Sequence, residues 1–445
     1  SSDLPYGFAR VSRPVVRSLR VLRRESGAGH ASCDILESST LRLIVRPKRG
    51  TEGDVRVRII ERVGGWGRCA PGTRVAVLVS GGVDSAAAAA LLLREGYDVV
   101  GVTMRIPRCV PGGGASGPDP ERTLEGVREL SRLLGIPHVS VDVDDECRAF
   151  VTGPFRVSYA SGRTPNPCSD CNARVKFGVL MDFAERELGA SFVASGHYAR
   201  IRTDARGGFA LLRAADRARD QSYFLAGISG DRLGRILFPL GDRRKNEART
   251  IAAEARLPVA TASDSMEICF VGQGNYRQAV GDLSREEGDF VAADGRVLGR
   301  HGGIPFYTVG QRKGLGLALP EPLYVSRIDP GTNRIFLVPR ERIFRRFVDA
   351  VDVNLLLPEL FDDGSTAGSE RPLAGKIRSL AGKIRSQGEP LPCSVVGYDG
   401  KTLRVAFEPP AFAPAPGQRL VLYEGERVAA GAVIAGADDG GGAEE

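Results

Sequence analysis

The chain has 445 residues, of which 26% are charged and 42% apolar, an ordinary globular composition long enough for two or three domains with their own cores. No apolar run approaches the roughly 18 residues of a membrane span, and no secretory h-region is visible, so a soluble cytoplasmic protein without a membrane partner is expected. Eight cysteines in this length exclude a disulfide-dense scaffold and agree with a reducing compartment.

The net charge of +7 sits at one end. Residues 1–72 hold 14 Lys+Arg against 7 Asp+Glu, and the other 373 residues hold 47 of each. The basicity therefore describes the N-terminal segment and says nothing of the rest. Arg10, Arg13, Arg17, Arg20 and Arg24 recur at helical spacing, compatible with an organelle-targeting helix, an RNA-binding arm or a solvated segment. We read 1–72 as an Arg-rich, partly disordered extension.

From residue 74 to about 275 strand-like runs (75–79, 98–103, 138–143, 191–195) alternate with helical patterns (86–95, 120–134, 174–188, 246–255). That alternation predicts an α/β fold with a parallel sheet covered by helices on both faces. Between the first strand and the first helix stands Ser80-Gly81-Gly82-Val83-Asp84-Ser85. Backbone amides of such a loop and of the following helix N-terminus favour an anion such as a phosphate. No Gly-Lys-Ser/Thr follows, so the loop is not a Walker A motif. The stretch 110–120, with its glycines and prolines, reads as a mobile surface loop.

After residue 280 short strands with frequent Gly and Pro take over: 289–293, 323–328, 334–338, 393–397, 402–407, 419–423 and 427–434. They predict a small β-rich connector followed by a β-barrel or sandwich. Within this part "LAGKIRS" at 373–379 is repeated at 380–386, too short for a solenoid unit and best read as a local tandem duplication. The end, "GADDGGGAEE", is low-complexity.

Several segments carry candidate chemistry. "RTPNPCSDCNARVKFG" (163–178) places Cys168 and Cys171 as a Cys-x-x-Cys pair just before a helix expected to begin near Ala173. Thiols at a helix N-terminus have lowered pKa, which would make them reactive thiolates. Taken alone the pair is equally compatible with redox or catalytic use, a metal site and inert thiols. "DSMEICFVG" (264–272) puts Cys269 in an apolar run, where a small buried core residue is the simplest reading. "ASGHYAR" places Gly196, His197 and Tyr198 after a strand, and "RDQSYFL" places Arg219, Asp220 and Gln221 before an apolar helix. His197 also suits a half-buried capped histidine, and Asp220 a helix N-cap. "FYTVGQRKGLGL" (306–317) adds a basic turn at Arg312 and Lys313.

SGGVDS, TPNPCSDCN, SGHYAR, DQSYFL, FPLG, MEICFVG and VGQRKGLG, in this order over about residues 74–434, resemble the bacterial tRNA-specific 2-thiouridylases. SGGVDS alone marks an ATP-pyrophosphatase (PP-loop) domain; the cysteine motifs in register with it narrow the match. The resemblance implies a PP-loop ATP-binding catalytic domain at 73–280, a small central β-rich domain at 281–345 and a C-terminal β-barrel at 346–437; beyond it, composition alone predicts a disordered tail at 438–445. It implies ATP with Mg, held by Leu78, Val79, Ser80, Gly81, Gly82, Val83, Asp84 and Ser85 with Met104 and Gly196. ATP would adenylate the uracil 2-oxygen at the tRNA wobble position, and Cys269 would carry a persulfide from a sulfur-relay protein or cysteine desulfurase. The terminal sulfur would attack the activated carbon, or leave as sulfide when Cys171 attacks Cys269 to give a disulfide. Asn166, Pro167, Cys168, His197, Arg219, Asp220, Gln221, Arg385, Ser386 and Gln418 would contact tRNA, and a monomer is expected.

Cys168 stands where many members carry an aspartate thought to assist proton transfer. A thiol can take that role if its pKa lies near neutral. Alternatively Cys168, Cys171 and Cys269 would ligate an iron–sulfur cluster with one open iron site. Ser386 stands where members often have an aromatic residue, and the duplication leaves Arg378 as an alternative to Arg385. The competing function is another PP-loop ATP-dependent ligase acting on a small molecule; it has no use for Cys171 and Cys269.

Overall fold

A computed structural model describes residues 58–63, 72–105, 120–204, 207–261, 268–271, 280, 286–361 and 380–440. The Arg-rich run at 10–24, most of the 110–120 loop, the first LAGKIRS copy with Arg378, and residues 441–445 lie outside the described residues. The first part of the chain contains β1 (Arg58–Val63), β2 (Arg74–Leu78), α1 (Val83–Arg94), β3 (Asp98–Arg105), α2 (Pro120–Leu134) and β4 (His138–Asp142). A long helical stretch follows: α3 (Asp144–Cys147), a π-helical turn (Arg148–Thr152) and α4 (Gly153–Ala160). A second comprises α5 (Pro167–Asp170), a π-helical segment (Cys171–Val179) and α6 (Leu180–Leu188). Then come β5 (Phe192–Ser195), the hairpin β6 (Ala199–Thr203) and β7 (Phe209–Arg213), α7 (Ser222–Leu225), β8 (Ile236–Leu237) and α8 (Lys245–Glu254).

The six-stranded sheet has the order β1-β4-β3-β2-β5-β8. All neighbours are parallel except β1, which pairs antiparallel to β4 at the edge. The parallel sheet is therefore as the strand–helix alternation requires. Val75, Ala76 and Val77 of β2 are fully buried, the signature of a central strand covered on both faces. In α1 the run Ala86–Ala90 is buried throughout; side chains this small let the helix lie close between the sheet and α8, whose Ala248 and Ile251 pack on it.

Two stretches differ from the sequence reading. No helix is expected at 144–160, yet helical backbone runs through it, with Pro154 at the start of α4 directly after the π-helical turn. The helix expected at 174–188 starts seven residues earlier, because Pro167 takes the same first-turn position and Asn166 caps it. Also, β1 lies within the residues read as an extension.

The rest of the chain is β9 (Gly288–Ala292), β10 (Val297–His301), β11 (Tyr324–Asp329), β12 (Arg334–Val338), β13 (Phe344–Leu355), β14 (Leu380–Lys383), β15 (Leu391–Tyr398), β16 (Leu403–Phe412), β17 (Arg419–Glu424) and β18 (Arg427–Asp438). β9 to β12 form a small sheet in the order β10-β9-β12-β11. β13-β16-β15-β14-β17-β18 close into a six-stranded barrel through the β13–β18 pairing. Its interior is filled by Val348, Leu403, Val405, Phe407, Leu420 and Ile434, all fully buried. The second LAGKIRS copy supplies β14. The β6–β7 hairpin extends from the α/β layer and pairs with β18 at Leu212–Arg427, joining the barrel to the α/β part of the chain. Among the described residues no helix is long and apolar enough to cross a membrane.

Candidate active site

The loop 80–85 leaves the carboxyl edge of β2, where ligands of open parallel sheets bind. The Ser85 hydroxyl donates to Gly82 O at 3.0 Å and accepts the Ser80 N–H at 3.2 Å, so the loop is folded on itself. Gly81 has φ +81°, a left-handed turn that a β-carbon disfavours. Gly82 is the N-cap of α1 and offers no side-chain cap, which leaves the first-turn amides open toward an anion. Asp84 is the loop's only carboxylate. It accepts from Tyr198 Oη at 2.8 Å and from Lys245 Nζ at 2.8 Å on each oxygen. Gly196 packs on the other side: a β-carbon there would lie 2.6 Å from Asp84 C and Ser85 N. Met104 is half-buried near the end of β3, on the same carboxyl edge.

Next to Gly196, His197 is half-buried, its ring 6.0 Å from Phe177 and 5.9 Å from Phe238, with Nδ1 2.7 Å from Ser195 Oγ. Burial and the Lys176 ammonium hold its pKa well below the ordinary range, so the ring is neutral at pH 7. Lys176 faces the thiols as well as His197. It favours the thiolates of Cys168, Cys171 and Cys269. Lys176 thus acts on both His197 and the cysteines.

Cys168, Cys171, Cys269 and Cys147 are all free thiols. Cys171 acts electrostatically on Cys269, and both act on buried Cys147. The sequence reading of Cys269 as a core residue is corrected: buried Phe270 packs edge-on against Phe155 at 5.3 Å, while Cys269 itself is turned to the surface. The expected thiolates are corrected too. Cys168 and Cys171 sit inside the first helical turns rather than before them, and burial pushes both thiols up. The helix N-terminus is outweighed by loss of water. Cys269 is reachable by solvent, yet the surrounding protein pushes its thiol up to about 12. Cys168 therefore moves away from the neutral pKa that a proton-transfer role requires. An iron–sulfur cluster needs three thiolates converging on one point. Among the described residues no three His, Cys, Asp or Glu side chains do so; Cys168, Cys171 and Cys269 as placed do not fit that group.

The residues expected at a tRNA surface divide into two sets. Arg219 is exposed, and so is Arg385, whose guanidinium donates to Phe412 O and lies 5.3 Å from the Phe412 ring. Ser386 accepts at its carbonyl from Lys383 Nζ at 2.9 Å. The others turn their polar atoms inward. Asn166 accepts the Ser169 N–H at 3.2 Å as the cap of α5, with Pro167 buried behind it. Asp220 binds Arg213 at 3.1 Å and accepts the N–H of Ser222, the first residue of α7, at 3.2 Å. Gln221 clamps Tyr198, accepting its N–H at 2.8 Å while donating its own to Tyr198 O at 2.9 Å. Gln418 reaches Pro165 O at 3.5 Å.

Three family models match in succession: a tRNA methyl transferase HUP domain at 73–273, a tRNA methyl transferase PRC-barrel domain at 281–339 and an aminomethyltransferase beta-barrel domain at 367–434. The tRNA-specific 2-thiouridylase MnmA of Methylorubrum populi is 42% identical over 360 residues, 79% of this chain and 89% of that one. The chain belongs to the tRNA-specific 2-thiouridylase family. The thiouridylases of Xanthobacter autotrophicus (43% identical, 80% of this chain and 90% of that one) and of a Picosynechococcus (39%, 81% and 98%) agree. The solved U34-tRNA thiolase NcsA of Methanococcus maripaludis, titled with its [4Fe-4S] cluster, is 17% identical with a TM-score of 0.27 over 47% of this chain and 65% of that one. That likeness carries no argument about a cluster in this thiouridylase-family chain.

Lys176 and Lys245 belong to the site and were not singled out from the sequence. Lys245 stands in "RRKNEAR", which reads as an exposed helix start, yet reaches Asp84 across 161 positions. Lys176 supplies the positive charge that opposes thiol burial, so its removal has a defined sign. Lys176→Met is expected to push Cys171 and Cys269 further up and to slow their alkylation at pH 8 by about three- to tenfold. Rates of iodoacetamide labelling against pH, resolved by peptide mapping, check this. An unchanged profile would remove Lys176 from the thiol environment.

Proposed function

We propose that this chain catalyses ATP-dependent 2-thiolation of the wobble uridine of tRNA. The observation that carries it is a phosphate loop with open first-turn amides on the same domain as two free thiols, Cys171 and Cys269, that act electrostatically on one another. The loop amides hold the ATP phosphates, with magnesium as their counter-ion. The uracil 2-oxygen attacks the α-phosphorus, pyrophosphate leaves, and C2 gains AMP as a leaving group. Cys269, exposed at the rim, takes a persulfide from a relay protein or cysteine desulfurase. Its terminal sulfur bonds to C2; Cys171 then attacks the Cys269 sulfur, forming the disulfide and leaving sulfur on C2 as AMP departs with the original oxygen. An external thiol reduces the disulfide. Resting thiols with raised pKa stay protonated and are shielded from stray oxidation until a persulfide, more acidic than a thiol, is delivered.

Methyl transfer, the wording of two of the family models, leaves both the phosphate loop and the thiol pair without work. A small-molecule ligase on the same loop leaves the thiols idle. The test is anaerobic incubation of the protein with unmodified tRNA, ATP and a persulfide donor, scored by mass spectrometry of the nucleosides. The expected result is 2-thiouridine at the wobble position with stoichiometric AMP. AMP formation on a small amine without any thiouridine would favour the ligase.

A further inference from the structure

The turn carrying the thiols is held from outside its own domain. Between Arg163 and Asp170 the chain meets the C-terminal barrel repeatedly. The Thr164 N–H donates to Pro416 O at 2.8 Å, Arg163 Nη2 to Ile434 O at 3.4 Å, and Gln418 Nε2 to Pro165 O at 3.5 Å. Gly417, at φ +92°, comes so near that a β-carbon would lie 3.0 Å from the Thr164 backbone. At the far end of this contact, Arg419 of β17 donates to Asp170 Oδ1. Asp170 stands between Cys168 and Cys171 and acts electrostatically on both. The pair is largely excluded from water, with Arg419 12% and Asp170 24% exposed. The same Arg419 presents its carbonyl to the buried Tyr223 hydroxyl at 2.8 Å, which fixes the start of β17 against α7. A planar guanidinium held on a carboxylate in a partly dry site fixes direction as well as distance.

We propose that Asp170 and Arg419 are positioning residues for the sulfur-transfer step, an ion pair through which the barrel sets the orientation of the turn bearing Cys168 and Cys171. The inference rests on the thiolase reading and deepens it: the barrel completes the active site as well as offering a surface to tRNA. Neither residue touches a reacting atom. Loss of the pair lets the turn relax around Asn166 and Pro167, and Cys171 no longer meets Cys269 in line. ATP use stays intact because the phosphate loop is braced separately, by Gly196, Tyr198 and Lys245.

Arg419→Met and Arg419→Lys in the full chain test this by steady-state thiolation of tRNA. Arg419→Met is expected to lower kcat about 100-fold, with the tRNA KM and the rate of AMP formation within about threefold of wild type. Arg419→Lys keeps the charge and loses the fork, so it should recover about tenfold of that loss. A raised tRNA KM with unchanged kcat would make Arg419 a plain tRNA ligand and overturn the proposal. If Arg419→Met shows no cooperative melt, Asp170→Asn gives the second reading, since it weakens the pair at constant shape. Its kcat should fall about tenfold, and an undiminished kcat overturns the proposal equally. Wild-type protein in the same assay separates the two levels: no thiouridine from it fails the function itself, whereas wild-type product with undiminished variants fails only the ion pair.

Discussion

Cys269→Ala is expected to abolish 2-thiouridine formation, a loss of about 10³-fold or more, while tRNA-dependent formation of AMP from ATP continues. The split follows from where the residue sits. Cys269 is a free, solvent-facing thiol on the rim and touches none of the groups that fold the phosphate loop. Its removal deletes the atom that receives sulfur and leaves the adenylation machinery whole. Cys393 supplies the control. It is a free thiol inside the barrel wall, beside Gly382 of β14, and burial pushes it up to about 12. Cys393→Ala removes a small packing group far from the chemistry and should leave the thiolation rate within about twofold. Nucleoside analysis and AMP release, measured on one reaction, check both variants. Thiolation by Cys269→Ala at the wild-type rate would end the persulfide account.

Gly196→Ala should damage the phosphate loop directly. The added carbon would sit 2.6 Å from Asp84 C and Ser85 N and 2.8 Å from Asp84 O. All three are backbone atoms of the first turn of α1, so no side-chain rotation relieves the overlap. Either the 195–197 turn or the helix start must move. The cost is about 1–3 kcal/mol of stability, and the ATP KM should rise at least about tenfold because the open amides shift from the phosphate position. Thermal melts and ATP titrations of AMP formation measure the two effects. A variant with wild-type ATP KM would show that the close approach does not set the loop.

Much of the architecture was legible because local patterns there agree with the tertiary result. Val75 to Val77 form a β-branched run buried on both faces, and the alanines of α1 announce a helix that must approach a sheet closely. The barrel strands around 393–397, 402–407 and 419–423 stand within a few residues of where alternation and turn residues put them. Helix boundaries near proline were less legible. Pro167 stands before the expected helix yet occupies its first turn, and no helix is expected in the helical stretch containing Pro154. The thiol environment was not legible at all. A Cys-x-x-Cys at a helix N-terminus suggests acidic thiols, and only the packed structure shows that desolvation wins. In "EICFVG" the apolar neighbours hid the exposure of Cys269, because a turn there sends Phe270 inward and the cysteine outward. Asp170 and Arg419 are 249 positions apart, and Asp84 and Lys245 are 161 apart. Neither pairing leaves any local trace.

Several residues that the resemblance places at the tRNA surface have partners within the fold. Asp220 and Gln221, expected at the tRNA surface, brace the turn carrying Gly196 and His197 through Tyr198 and Arg213. Asn166 spends its side-chain oxygen on a helix cap. Arg219 and Arg385 stay at the surface.

Whether the uracil oxygen itself leaves as part of AMP is the most direct test of the account. A tRNA carrying ¹⁸O at the 2-position of the wobble uridine would be thiolated with ATP and a persulfide donor, and the AMP analysed by mass spectrometry. The account predicts one ¹⁸O in AMP for each 2-thiouridine formed and none in pyrophosphate. Label released as inorganic phosphate or water, with unlabelled AMP, would contradict it.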